Sequence, residues 1–230
     1  QSGAYDPELD LFFIGTGNAE PYNPKYRKGM DSLFAASMLA IRPKTGEMVW
    51  HYQFMPNDSF DFDGTAEPII ADVMIDGQPR KVLFQANKNG FLYTLDRTNG
   101  QLLAAHPFMN QNWAKYIDLK TGRPVLTDLL DRALKGETIE LAPRGATNAT
   151  LSAYNPNSGL MFINSWELMR VLTFVDVKLT PGGDYTGIKT DSKIVDPPGY
   201  HIAVSPYTGK VDRKSTRLNS SHTDISRMPS

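Results

Sequence analysis

The sequence predicts an all-β fold of the β-propeller kind, on two observations. A turn motif returns along the chain, as Lys44-Thr45-Gly46-Glu47, Arg97-Thr98-Asn99-Gly100, Asn157-Ser158-Gly159-Leu160 and Tyr207-Thr208-Gly209-Lys210. Each copy follows a short apolar run: Met38–Ile41, Phe91–Leu95, Leu151–Tyr154 and His201–Val204. The copies stand roughly 50–60 residues apart, which suits one four-stranded blade per repeat. A blade cannot bury its own faces, so blades stack around an axis, and loops that converge on that axis form the natural ligand site.

The individual elements follow in order. Leu11-Phe12-Phe13-Ile14 is an apolar strand that stops at Gly15-Thr16-Gly17-Asn18. Met48 to Phe54 alternates with period two and puts Trp50, Tyr52 and Phe54 on one face. Pro68 to Ile75 meets Asp76-Gly77, a hairpin signal, and Lys81 to Ala86 returns. Asn89-Gly90 predicts a type I′ turn into Phe91–Leu95. The stretch from Asn110 to Pro143 shows no strand period, and Leu126 to Leu134 reads as one short helix on a surface excursion. Pro181 to Gly187 reads as a loop.

Composition agrees. Of 230 residues, 40% are hydrophobic and 21% charged, enough for a sizeable core. No apolar run is long enough to span a membrane as a helix. A net charge of −1 gives no reason to expect nucleic acid as a partner. With no cysteine, the stretch holds no disulfide, no thiolate zinc site and no covalent haem motif. The chain opens without an initiator Met and changes character after Val211. We expect two parts: a partial propeller over 1–211, and over 212–230 a polar, basic, aperiodic tail. That tail reads either as an arm for an acidic partner or, as preferred here, as a non-native extension resembling translated adapter DNA.

Four places carry candidate chemistry. Asn18, after Gly15-Thr16-Gly17, offers a carboxamide oxygen suited to a hard cation, or simply fills a left-handed turn position. Asp58, Asp61 and Asp63 follow Pro56. Asp61 and Asp63 are two apart, so in extended backbone they share a side, and like charges that close call for a cation or a proton. They are equally readable as solvated acids at a blade rim. Lys88 fits an anion-binding ammonium or a solvated hairpin lysine. Asn148, in Gly145-Ala146-Thr147-Asn148, has the means to hydrogen-bond a ligand.

In order, Gly15-Thr16-Gly17-Asn18, Trp50-His51-Tyr52-Gln53-Phe54, Asp61-Phe62-Asp63, the string Asn87 to Gly100 and Asn112-Trp113-Ala114 form one series. The series resembles the pyrroloquinoline quinone (PQQ)-dependent alcohol dehydrogenases, the methanol and ethanol dehydrogenase group, from about Tyr5 to Val211. The resemblance implies an eight-bladed propeller of which this chain holds about half. It implies Asn18 as a metal ligand, Asp61 as a metal-site acid and general base, and Lys88 as the cation at the quinone oxygens. Asn148 matches a quinone-contacting asparagine, although the family usually has Trp next and this chain has Ala149. Asp63 resembles members that use a lanthanide rather than Ca²⁺, because a trivalent ion gains more from an added carboxylate.

What the resemblance implies for the whole protein is a periplasmic oxidation of a primary alcohol to an aldehyde, with electrons passed to a cytochrome c-type acceptor. The family's glutamate ligand, adjacent-cysteine disulfide and quinone-stacking Trp are expected upstream of residue 1, and a partial ring is expected to be inactive alone. Two other readings stand beside this one. The repeats equally suit a non-catalytic propeller scaffold, and the long 110–143 excursion suits a PQQ-dependent sugar or polyol dehydrogenase.

Overall fold

The computed structural model describes residues 3–216 apart from 149, 179 and 184. Three antiparallel meanders follow one another. The first contains β1 (Gly3–Asp6), β2 (Leu11–Gly15), β3 (Ser37–Ile41) and β4 (Met48–Gln53). The second contains β5 (Ile69–Ile75), β6 (Gln78–Ala86), β7 (Phe91–Asp96) and β8 (Leu102–Pro107). A hairpin of β9 (Ala114–Asp118) and β10 (Arg123–Leu126) and the helix α1 (Leu129–Leu134) then lead into β11 (Ile139–Leu141). The third sheet holds β12 (Ala153–Asn155), β13 (Leu160–Phe174), β14 (Ile188–Val204) and β15 (Val211–Thr216), with β11 paired to the far end of β13.

The recurring turns hold the sheets against one another. Gly46, Gly100, Gly159 and Gly209 all have φ between 68° and 78°, the left-handed backbone that glycine adopts without strain. At two of them a neighbour also requires glycine. A Cβ on Gly100 would lie 2.7 Å from Trp50 Cε3, and one on Gly209 would lie 2.6 Å from His106 Cγ. Trp50 Nε1 donates to Arg97 O at 3.1 Å, so the last strand of the first sheet docks on the turn of the second. His106 Nε2 lies 2.8 Å from Tyr207 O, so the second docks on the third in the same manner. The contacts of Phe84 with Tyr154 and Tyr207 add aromatic packing at that second seam.

Some details differ from the sequence reading. The turns at Gly46, Gly100 and Gly209 join third and fourth strands, but the one at Gly159 joins β12 to β13, so the copies are not spaced one per blade. A further copy, Lys120-Thr121-Gly122, closes the β9–β10 hairpin inside the stretch read as lacking strands, and Tyr52 Oη donates to Gly122 O at 2.8 Å. The expected helix is present but shorter, starting at Leu129. Asp76-Gly77 is left-handed at both residues, as a type I′ turn requires, whereas at Asn89-Gly90 only Gly90 is. There the Asn87 carboxamide accepts from Asn89 N and the Asn89 carboxamide from Phe91 N, so side chains rather than a mirror-image turn close the loop. Of the expected tail, residues 213–216 pair with β14 as part of β15, and 217–230 lie outside the described residues.

Candidate active site

Strands β2, β4 and β6 occupy even positions in their meanders and run the same way, so the segments that follow them meet at one end of the stack. Their approach is close. A Cβ on Gly15 would lie 1.8 Å from Gly64 O, which only glycine permits, and Gly64 N donates to Thr16 O at 2.7 Å. This contact between the two backbones brings Asn18 beside Asp63: Asn18 N donates to Asp63 Oδ1 at 2.9 Å. Asn87 Nδ2 donates to Asp63 O at 3.0 Å, tying in the β6–β7 turn. Gln85 Nε2 donates to Gly64 O at 2.8 Å and to Ala66 O at 2.7 Å.

Lys88 sits between the two acids. Its Nζ lies 3.0 Å from Asp61 Oδ1 and 2.7 Å from Asp63 Oδ2, and its side chain is nine-tenths buried. The Gly145 loop covers its stem, with Ala146 N donating to Lys88 O at 2.9 Å. Asp61 has φ 66°, a left-handed conformation that costs about 1 kcal/mol or more in a residue with a Cβ. The buried carboxylate of Asp58 fixes the backbone on both sides, accepting from Phe60 N at 2.9 Å and Phe62 N at 2.7 Å. Burial pushes the Asp58 carboxyl up to about 6 against these two donors, with the charges of Asp61 and Asp63 acting in the same upward direction. Burial likewise pushes the Tyr22 hydroxyl up, helped by the charge of Asp61.

Sequence reasoning missed one residue of this group. Arg170, on β13, places Nη2 2.9 Å from Asp61 Oδ2 and Nη1 3.2 Å from Phe60 O. The one available signal was a lone cation inside the apolar run Leu168-Met169-Arg170-Val171-Leu172.

Asp61, Lys88, Asn148 and Arg170 line one cavity of about 410 Å³, together with Arg144, Gly145, Trp166 and Leu168. That size lies within the ~300–1,000 Å³ range of small-molecule sites. A larger space of about 710 Å³ opens at the outer seam near Tyr154 and Tyr207, and it contains none of the residues above. Of the five expected site residues, Asp61, Lys88 and Asn148 therefore share a cavity, while Asp63 and Asn18 adjoin it through Lys88. Asn18 is not left-handed, so the turn-filling reading of it does not hold.

The residues suit an anionic ligand beside a hard cation. Among the described residues, Arg170 Nε is a buried donor without a hydrogen-bond partner, on a side chain that lines the cavity. Asp61, Asp63 and Asn18 offer only oxygen donors, the chemistry of Ca²⁺ or a lanthanide rather than of zinc. Among the described residues, no group of three or more His, Asp or Glu side chains is placed to hold a metal ion.

Fold and site together define a propeller of the quinoprotein type. Residues 2–110 match the PQQ family model described as glucose/ethanol/alcohol dehydrogenase, beta-propeller domain. The chain is 49% identical over 164 residues to the quinohemoprotein alcohol dehydrogenase ADH IIB of Pseudomonas putida, covering 70% of this chain and 24% of that protein. It is 36% identical over 188 residues to the lanthanide-dependent methanol dehydrogenase of Methylacidiphilum fumariolicum, covering 80% of this chain and 30% of that protein. A europium-containing methanol dehydrogenase superposes with a TM-score of 0.86 at 32% identity, over 94% of this chain and 38% of that one. The chain is thus similar to the PQQ-dependent alcohol dehydrogenases, and it spans between a quarter and two fifths of the length of these relatives.

Proposed function

We propose that the protein carrying this chain oxidises a primary alcohol to an aldehyde in the periplasm, using PQQ and a bound metal ion, and passes the electrons to a cytochrome c-type acceptor. The observation that carries the reading is the chain of contacts Asn18–Asp63–Lys88–Asp61–Arg170 at the edge of one cavity. Asn18, Asp61 and Asp63 would hold the metal. Lys88 and Asn148 would contact the quinone. PQQ, when bound, supplies the two-electron acceptor, and the metal ion supplies Lewis acidity.

The chain's own residues account for the rest. Asp61 lies beside two cations, Lys88 and Arg170, each of which takes one of its oxygens. A carboxylate oxygen has a second lone pair, so Asp61 still accepts the hydroxyl proton of an alcohol bound in the cavity. Lys88 brings an ammonium donor to the place where negative charge develops, in a buried site where electrostatic interactions are stronger than in water. Arg144, Gly145 and Asn148 form one wall of the cavity.

The test is Asp61→Asn in the full-length protein supplied with PQQ and metal. Dye-linked alcohol oxidation should fall by about 10²–10⁴-fold, the usual contribution of a positioned base. Unchanged turnover would remove Asp61 from this role. A non-catalytic scaffold would give no change in quinone absorbance when titrated with PQQ and metal.

A further inference from the structure

We propose that Arg170 is a positioning residue, which fixes the Asp61 carboxylate in the orientation needed to receive a proton. The inference rests on the reading of Asp61 as the base.

Three independent features of the fold support it. The first is a break in the register between β13 and β14, where one residue of β13 stands against four of β14. Buried side chains fall on odd positions at Met161, Ile163 and Ser165, then on even positions at Arg170 and Leu172. The register with β14 slips between Trp166 and Leu168, which exchanges the two faces of the strand from there on. Arg170 thus lies on the buried face beyond the register break; with the parity of Met161 to Ser165 continued, it would lie on the other side. The 144–146 loop docks on this same irregularity, with Trp166 N donating to Ala146 O at 2.8 Å and Arg144 N to Leu168 O at 2.7 Å.

The second feature is the double grip. One guanidinium holds both the carboxylate of Asp61 and the carbonyl of the residue before it. Two planar donors on adjacent groups constrain the backbone and the side chain together, which Lys88, a single point charge, does not do. The third is the backbone of Asp61 itself. A left-handed non-glycine residue persists only where its surroundings hold it, and Arg170 and Asp58 are the two side chains that grip its flanking peptides.

The experiment uses the full-length protein and four variants: Arg170→Met, Arg170→Lys, Asp61→Asn and the double variant of Asp61→Asn with Arg170→Met. Arg170→Met should lower kcat about 10²-fold, the scale of a misplacement near 1 Å, with KM changed less than about threefold. Arg170→Lys should recover part of that loss. In the Asp61→Asn background, Arg170→Met should cost nothing further, because the two residues act as one unit. The readout independent of turnover is a crystal structure of Arg170→Met without cofactor, in which the Asp61 carboxylate should have rotated away from its present position. An unmoved Asp61 overturns the proposal, as do losses from the two substitutions that multiply. If Arg170→Met does not fold, Arg170→Lys and Arg170→Gln carry the same comparison. A fully active Asp61→Asn enzyme would sink the base assignment alone, since the crystal structure still decides what Arg170 holds.

Discussion

At the scale of single residues, the acids of the 58–63 segment perform three different tasks. Asp58 is wholly buried and spends its oxygens on two backbone N–H groups, so its work is local architecture. Asp61 faces the cavity between two cations. Asp63 sits one step back, sharing Lys88 with Asp61 and accepting from Asn18 N. Replacing Asp63 removes a full negative charge from the proposed metal's surroundings while leaving Asp61 in place. Coulomb attraction scales with the charge of the ion, so a trivalent ion loses more than a divalent one. Asp63→Ala should therefore weaken La³⁺ binding about tenfold more than Ca²⁺ binding, read by quinone absorbance during metal titration. An unchanged La³⁺-to-Ca²⁺ ratio would show that Asp63 does not select the metal.

At the scale of elements, the docking of one sheet on the next turn should be measurable. Gly46 and Gly100 occupy equivalent turns with nearly the same φ, 75° and 78°. A Cβ at Gly46 meets nothing within 4 Å, whereas one at Gly100 would enter the Trp50 ring. Gly46→Ala should then cost only the left-handed strain, about 1 kcal/mol. Gly100→Ala adds overpacking to that strain and should cost about 2–4 kcal/mol. Thermal unfolding of the two variants side by side checks this, and equal losses would mean that Trp50 yields freely and the seam is loosely packed.

For the molecule as a whole, what could be read in the sequence was what is local. The threonine–glycine turns and the Asp76-Gly77 hairpin are set by a few adjacent residues. The gathering of Asp61, Lys88 and Asn148 came from a resemblance, since 87 residues separate its ends and no periodicity spans them. Arg170 was illegible because the register break between β13 and β14 changes the buried face without leaving any mark in the alternation. The β9–β10 hairpin was missed although its Thr121-Gly122 turn repeats the motif, because Lys115, Tyr116 and Asp118 interrupt the apolar pattern. The tie between the first two sheets was equally hidden. Asp6 at the end of β1 pairs with Arg97 in the β7–β8 turn at 2.5 Å, with both side chains buried. Burial alone would raise the Asp6 carboxyl, but the Arg97 guanidinium and the N–H groups of Leu9 and Glu8 outweigh it and hold it below the usual carboxylate value. A depressed folded-state value contributes stability that is present above the unfolded value, about 3.9, and is lost as pH falls through the folded one. Asp6→Asn should therefore destabilise the protein most at neutral pH. The loss should be about 3 kcal/mol, the lower end for a broken buried pair, because Arg97 keeps Asp72 Oδ1 at 2.6 Å. The deficit should shrink as the pH is lowered below about 4, where the native carboxyl also takes up its proton. Denaturant unfolding of both proteins across that range tests the claim. Parallel stability curves would mean that the Asp6–Arg97 pair does not bind the first sheet to the second.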